Sequence, residues 1–292
     1  MQKIDLETLV ENSLEIFRKA GFVAEAINYP STRRSIDLVG AGSKHKIVAK
    51  IAIDTRHLSS MELFDLKKAA KAYNASPLII SLMDNKREIE DDVVVKKSGI
   101  YVVSPELLRN YLLSNEKPLV YREKGVYLVR VNPVKFRKRR LELNYSLGAL
   151  ALEIGVSRKA IYEYERGSTS LAINTAVKIA EILGEEVFEP IEILDPSIVE
   201  NTPSDIPTNK LEKELKTLCR SSEECEFYKL VKTPIDYIIK DEEETYSFTL
   251  IRYGEARIKA SEAIRIAQVV KTREYIIKSE KDIEELKHYF RN

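Results

Sequence analysis

The chain has 292 residues, 44% of them hydrophobic and 32% charged, with a formal net charge of +1. That length predicts two or three domains. The near-neutral charge excludes a polycation, so any nucleic-acid surface must come from local clustering. Cys219 and Cys225 are too few for a disulfide framework or a four-ligand zinc site. They are close enough in sequence to pair, but are expected as two ordinary thiols. The opening "MQKIDLETLV" lacks the apolar core of a signal peptide, and no apolar run approaches a membrane span. A cytoplasmic protein without a membrane partner is expected.

Residues 5–20 space Leu6, Leu9, Val10, Leu14 and Phe17 at helical intervals. Short β-like runs follow at 22–28, 35–39 and 46–53, then a helical pattern at 59–73. Further β-like runs lie at 77–81, 93–97 and 100–104, with a short helix from Glu106. This αβββαβ order predicts a mixed sheet with flanking helices over residues 1–115. Residues 116–132 read as a β-hairpin connector whose turn "REKG" places Gly125 at a left-handed position. Helices are expected across 133–194, and the three prolines of 195–209 suit a linker.

Residues 210–292 resemble the first segment. "SIDLVG" at 35–40 is matched by "PIDYII" at 234–239, and each is followed by a β-like run, a long helical run and an Ile-Ile strand. From Asp37 to Ser81 is 44 positions, and from Asp236 to Lys278 is 42. The pattern predicts a diverged, shortened internal duplication on either side of the middle segment. The fold expected is thus α+β and multidomain: a central all-α bundle flanked by two related mixed α/β halves.

The middle segment carries the most specific spacing. Ser146 can cap a helix whose inward residues are Leu147, Leu150, Ala151 and Ile154. Gly155 stands at the break, where a tight turn needs positive φ. Val156 points back to the core, and Ser157 caps the next helix. On that helix Ala160, Ile161 and Tyr164 share the inner face, while Arg158, Lys159, Tyr162, Glu163 and Arg166 share the other. Gly167 closes it. A small residue at the crossing, a glycine at the turn and large apolar groups behind it define a helix-turn-helix. Between 133 and 167, eight Lys/Arg stand against four Glu, a local charge of +4.

"GVSRKAIYEYERG", residues 155–167, resembles the Cro/phage-repressor-type helix-turn-helix, and the whole chain resembles archaeal transcriptional regulators that carry it. The resemblance implies that the helix from Arg158 enters the major groove of double-stranded DNA, with Arg158, Lys159, Tyr162 and Glu163 facing base edges. Ser157 and Arg166 would lie near phosphates. So would the backbone amides of Leu147 and Gly148, which open the preceding helix. The family often has glutamine where this chain has Leu147, so a side-chain clamp is not expected there. The family also pairs a first-helix arginine with a late glutamate, here Arg140 with Glu165, as an internal strut. A homodimer on a two-half-site operator is expected, with any effector unknown.

The αβββαβ order with Asp37 and "IVAKI" also resembles the PD-(D/E)XK, restriction-endonuclease-like fold. Such nucleases set an aspartate on one strand and an acid two residues before a lysine on the next. Asp37 and Lys50 fit, but the acid position is Val48. Asp54 lies roughly 13 Å along the strand from Lys50. The resemblance allows Glu11 or Glu62 to substitute from a helix, as migrated acids do in some nuclease relatives. In the second half Asp236 recurs, but "YSFTLI" has no lysine. Catalytic residues and an enzyme activity are therefore not expected, and Asp37 with Lys50 reads as an ion pair. His45, His57 and His288 form no spaced cluster, and no phosphate-cradling glycine motif occurs, so no metal or cofactor is expected. The alternative function is a nuclease or DNA-repair factor targeted by the helix-turn-helix, and a third is a partner-binding role for the α/β halves.

Overall fold

The computed structural model describes residues 5–219, 225–241, 244–251 and 256–291. The chain forms two compact units, one from Met1–Lys86 with Ile193–Asn292 and the other from Arg87–Glu192.

The first unit opens with helix α1 (Leu6–Lys19), capped by the Asp5 side chain on Thr8 N and carrying Arg18 and Lys19 in its last turn. Strands β1 (Val23–Ala26), β2 (Leu38–Ala41) and β3 (Lys46–Asp54) follow, then helix α2 (Ser60–Ala72) and strand β4 (Ser76–Asp84). β1, β2 and β3 pair antiparallel in turn, and β3 pairs parallel with β4. β3 is buried along most of its length, which explains its nearly unbroken apolar run. β2 begins after Asp37, so the strand sits later than the expected 35–39. Ser59 and Glu62 form a reciprocal capping box at the start of α2.

In the second unit come β5 (Arg87–Glu88), β6 (Val93–Lys97), β7 (Ile100–Val103) and helix α3 (Pro105–Arg109), which runs into a π-helical turn at Asn110–Ser114. β8 (Val120–Glu123) and β9 (Val126–Val129) form a hairpin whose turn residues Lys124 and Gly125 both have positive φ. Helices α4 (Pro133–Glu142), α5 (Leu147–Ile154) and α6 (Arg158–Glu165), strand β10 (Leu171–Ala172) and helix α7 (Ile173–Leu183) complete it. The strand order is β7-β6-β8-β9-β10. The expected all-helical middle is corrected by β10, which pairs antiparallel with β9. After the turn at Gly167 the chain runs extended. The pairing satisfies its backbone groups while Leu171 becomes fully buried. Phe136, Leu150, Ile154, Ile161, Ile179 and Leu183 form the centre of this unit's core.

The first unit resumes with α8 (Lys210–Lys216), β11 (Glu226–Lys229), β12 (Tyr237–Lys240), β13 (Thr245–Leu250), α9 (Ala256–Val270), β14 (Arg273–Ile277) and α10 (Glu280–Arg291). β11, β12 and β13 pair antiparallel in turn and β13 pairs parallel with β14, repeating the pattern of β1 to β4. Residues 195–209, expected as a linker, lie along α2: Lys71 Nζ donates to Thr202 O and Lys68 Nζ to Asp205. Cys219 and Cys225 are joined by a disulfide, correcting the expectation of free thiols. Their Cα atoms lie 6.1 Å apart, an ordinary separation for a disulfide. Among the described residues no helix is long and apolar enough to cross a membrane.

Candidate nucleic-acid interface and carboxylate sites

The helix-turn-helix is built by two serine caps and two glycines. Ser146 Oγ accepts from Ala149 N at 3.0 Å and Ser157 Oγ from Ala160 N at 3.0 Å, fixing where α5 and α6 start. Gly155 has φ +82°, and its N–H and that of Val156 both donate to Ala151 O. Lys178 Nζ from α7 donates to Ile154 O, adding a cation at the carbonyl end of α5. Gly167 has φ +64°, and a Cβ there would stand 2.8 Å from the Pro133 ring. Both the backbone angle and the close approach therefore require glycine.

Ile161 is fully buried against the core, whereas Ala160 and Tyr164 are only half-buried, and burial pushes the Tyr164 phenol up. Arg158 and Lys159 are exposed in the first turn of α6, with Glu163 3.8 Å from the Lys159 ammonium. Tyr162 is 49% exposed; Arg166 stands over its ring at 5.6 Å and donates to its hydroxyl at 3.3 Å. Arg158, Lys159, Tyr162, Glu163 and Arg166 thus belong to one accessible stretch. Ser157 lies at its start and is exposed. Gly148 is exposed and Leu147 half-buried at the start of α5, where first-turn N–H groups lack intrahelical acceptors.

Behind that surface, Arg140 Nε donates to Glu165 at 2.5 Å, and Arg140 Nη1 donates to Tyr145 O at 2.5 Å. The two side chains are 8% and 9% exposed, so the pair ties α4 to the end of α6 inside the domain.

The first half holds Asp37 in a closed network. Its Oδ1 accepts from Arg34 Nε at 2.6 Å, and its Oδ2 accepts from Ile51 N at 2.7 Å with Lys50 Nζ at 3.0 Å. Glu62 reaches Lys50 at 3.6 Å while its other oxygen serves the α2 cap. Val48 is fully buried and Glu11 is exposed. Asp54 accepts from three backbone amides, of Arg56, Asn85 and Lys86. Each oxygen of Asp37 and Asp54 thus accepts at least one protein donor. Arg34 was not anticipated as a partner, although it lies one helical turn before Asp37 in sequence.

In the second half the cation comes from a helix. Lys259 Nζ on α9 donates to both Asp236 oxygens, at 2.8 and 2.6 Å, and to Leu250 O at 3.0 Å. Glu274 on β14 stands nearby with both carboxylate oxygens shut from solvent. Burial is the main cause that pushes its pKa up to about 8, and the Asp236 charge adds to it. Neither residue was found from the sequence, because neither falls within the motif spacing of the strands. Among the described residues no group of three or more His, Cys, Asp or Glu could hold a metal ion.

Comparison with known proteins gives the class first. Residues 6–118 match the PD-(D/E)XK superfamily domain, and residues 136–189 match a helix-turn-helix domain. The chain is 33% identical over 248 residues to a Pyrococcus furiosus protein named "Putative HTH-type transcriptional regulatory protein", covering 84% of this chain and 76% of that one. Proteins of the same name from Pyrococcus abyssi (29% over 278 residues; 95% and 86% covered) and Aeropyrum pernix (38% over 171; 58% and 52%) are also similar. The chain belongs to this family of archaeal HTH-type transcriptional regulatory proteins. No solved structure matches it.

Proposed function

We propose that the chain is a sequence-specific regulator of transcription that binds double-stranded DNA through α6. The carrying observation is the division of α6 by face. Ile161 and the Arg140–Glu165 pair hold it from behind, leaving Arg158, Lys159, Tyr162 and Glu163 for base edges. Arg158 or Lys159 suits a guanine O6/N7 pair and Glu163 a cytosine amino group. Ser157, Arg166 and the amides of Leu147 and Gly148 suit phosphates. The protein works in the cytoplasm, and a second chain supplies a second α6 about 34 Å away along the duplex.

The α/β halves serve as scaffold and not as a nuclease. What supports this is the Asp37 carboxylate, whose two oxygens are occupied by Arg34, Lys50 and a backbone amide. The test is genome-wide mapping of binding sites with wild type and Arg158→Ala. Loss of sequence preference with non-specific binding retained is expected; an unchanged site preference refutes base reading by Arg158. Incubation with DNA and Mg²⁺ tests the second point, and cutting that disappears in Asp37→Ala would restore the nuclease reading.

A further inference from the structure

The last segment repeats the first down to individual hydrogen bonds. In the first, Ile27 N donates to Asp37 O, Asp37 N to Ala49 O, and Ile51 N to the Asp37 carboxylate. In the last, Leu230 N donates to Asp236 O, Asp236 N to Phe248 O, and Leu250 N to the Asp236 carboxylate. The two patterns equate Asp37 with Asp236, Ile27 with Leu230, and Asn28 with Val231. The parallel strand pairs extend the match. Lys50 faces Ile79 and its counterpart Thr249 faces Ile276. Counting back from those strands, Asp65 corresponds to Glu262, Lys68 to Arg265, and Asn74 to Lys271. Asn74 and Lys271, just beyond the two helices, both adopt positive φ, +51° and +58°.

Each repeat's helix bridges both repeats: α2 packs on its own β3 and β4, and α9 on its own β13 and β14. α2 also packs on β11 and β12 of the other repeat, and α9 on β1 and β2. This bridging is reciprocal in its polar contacts. The buried Asp65 carboxylate accepts from Val231 N at 3.0 Å and Lys232 N at 3.1 Å. Its counterpart, buried Glu262, accepts at 3.1 Å from Asn28 N, the counterpart of Val231. Lys68 Nζ donates to Lys229 O on β11, the first strand of the other repeat, and its counterpart Arg265 pairs with Glu25 on β1. Between the repeats, Ser35 N donates to Lys232 O at 2.7 Å. A contact set in which each half does to the other what the other does to it is the signature of a two-fold interface.

We infer that the two repeats form a pseudo-dimer about an internal two-fold axis, each taking the other as its docking partner. The surface through which one repeat would bind a second chain is filled in cis. A second chain in the proposed homodimer is therefore held by another surface, and each pseudo-dimer carries a single helix-turn-helix. This goes beyond the proposed function and stands whether or not α6 reads bases.

Two measurements on the full chain test it. In the first, Glu25→Cys/Arg265→Cys is treated with a short bismaleimide under non-reducing conditions. The expected product has the mass of one chain and yields a linked peptide joining positions 25 and 265. A product of two chains, or no link between these positions, overturns the inference. In the second, hydrogen exchange is followed by NMR in Asp65→Ala and Glu262→Ala. Asp65→Ala is expected to speed exchange at amides 231 and 232, and Glu262→Ala at amide 28, each by roughly ten- to a hundredfold. Asp65→Asn and Glu262→Gln keep an acceptor oxygen and are expected to preserve much of the protection. Unchanged exchange in either alanine variant overturns the reciprocal contact, and the cross-link still decides if either variant fails to fold.

Discussion

Glu274 makes the stability of this chain depend on pH in an unusual direction. Its carboxylate oxygens are shut from solvent on β14, beside Asp236, and its pKa rises from 4.5 to about 8. Thr249 and Lys259 oppose the rise without cancelling it. The folded protein therefore keeps a proton up to about pH 8 that the unfolded chain releases near 4.5. Over that window the folded state binds more protons, so stability falls as pH rises, by about 1.4 kcal/mol per pH unit. Across the window the loss is on the order of 5 kcal/mol as an upper bound, because a buried charge also relaxes its surroundings. Glu274→Gln keeps the shape and removes the ionisation. The variant is expected to be several kcal/mol more stable than wild type at pH 9 and close to it at pH 4.5, by denaturant unfolding at matched m-value. Parallel stability profiles for the two proteins from pH 4.5 to 9 would refute the reasoning.

Glu165→Ala leaves Arg140 buried without its carboxylate and is expected to cost about 3–5 kcal/mol; melting like wild type would mean the strut carries no load. Gly167→Ala forces a side chain into left-handed backbone, at a cost of about 1–2 kcal/mol before the contact with Pro133 is relieved, read as a lower unfolding midpoint. Replacing both Cys219 and Cys225 by serine opens a link of sequence separation 6 and is expected to cost about 2 kcal/mol, read the same way.

Local signals made much of this fold legible. Ser146, Ser157 and Gly155 each act through their own backbone neighbourhood, so spacing alone places the turn and both helix starts. The second repeat was legible because strand and helix periods recur around Asp37 and Asp236. The partners of those aspartates were less so. Arg34, Lys259 and Glu274 reach them from a loop, a helix and a neighbouring strand, and such approaches are set by packing rather than by periodicity. β10 was missed for a similar reason: two residues carry no period, and only pairing with β9 makes them a strand. The disulfide was missed because two cysteines six apart are equally consistent with free thiols.

Charge is unevenly divided along the chain. The chain carries +1 overall and residues 133–167 carry +4, which leaves −3 on everything else. Residues 1–115 carry +2 and residues 210–292 carry no net charge, so the α/β repeats are not the acidic part of the chain. Their internal charges are also spent locally. Asp37 is neutralised by Arg34 and Lys50, and Asp236 by Lys259. In the first repeat the lysine sits on the strand and the acid, Glu62, on the helix. In the second the helix supplies the lysine and the strand position holds Thr249. Each arrangement places a tethered cation against the strand aspartate, buried in the first repeat and half-buried in the second. Such a cation balances the carboxylate's charge without giving up the strand register that the carboxylate itself supports through Ile51 and Leu250. The aspartates therefore have a structural use that is independent of catalysis.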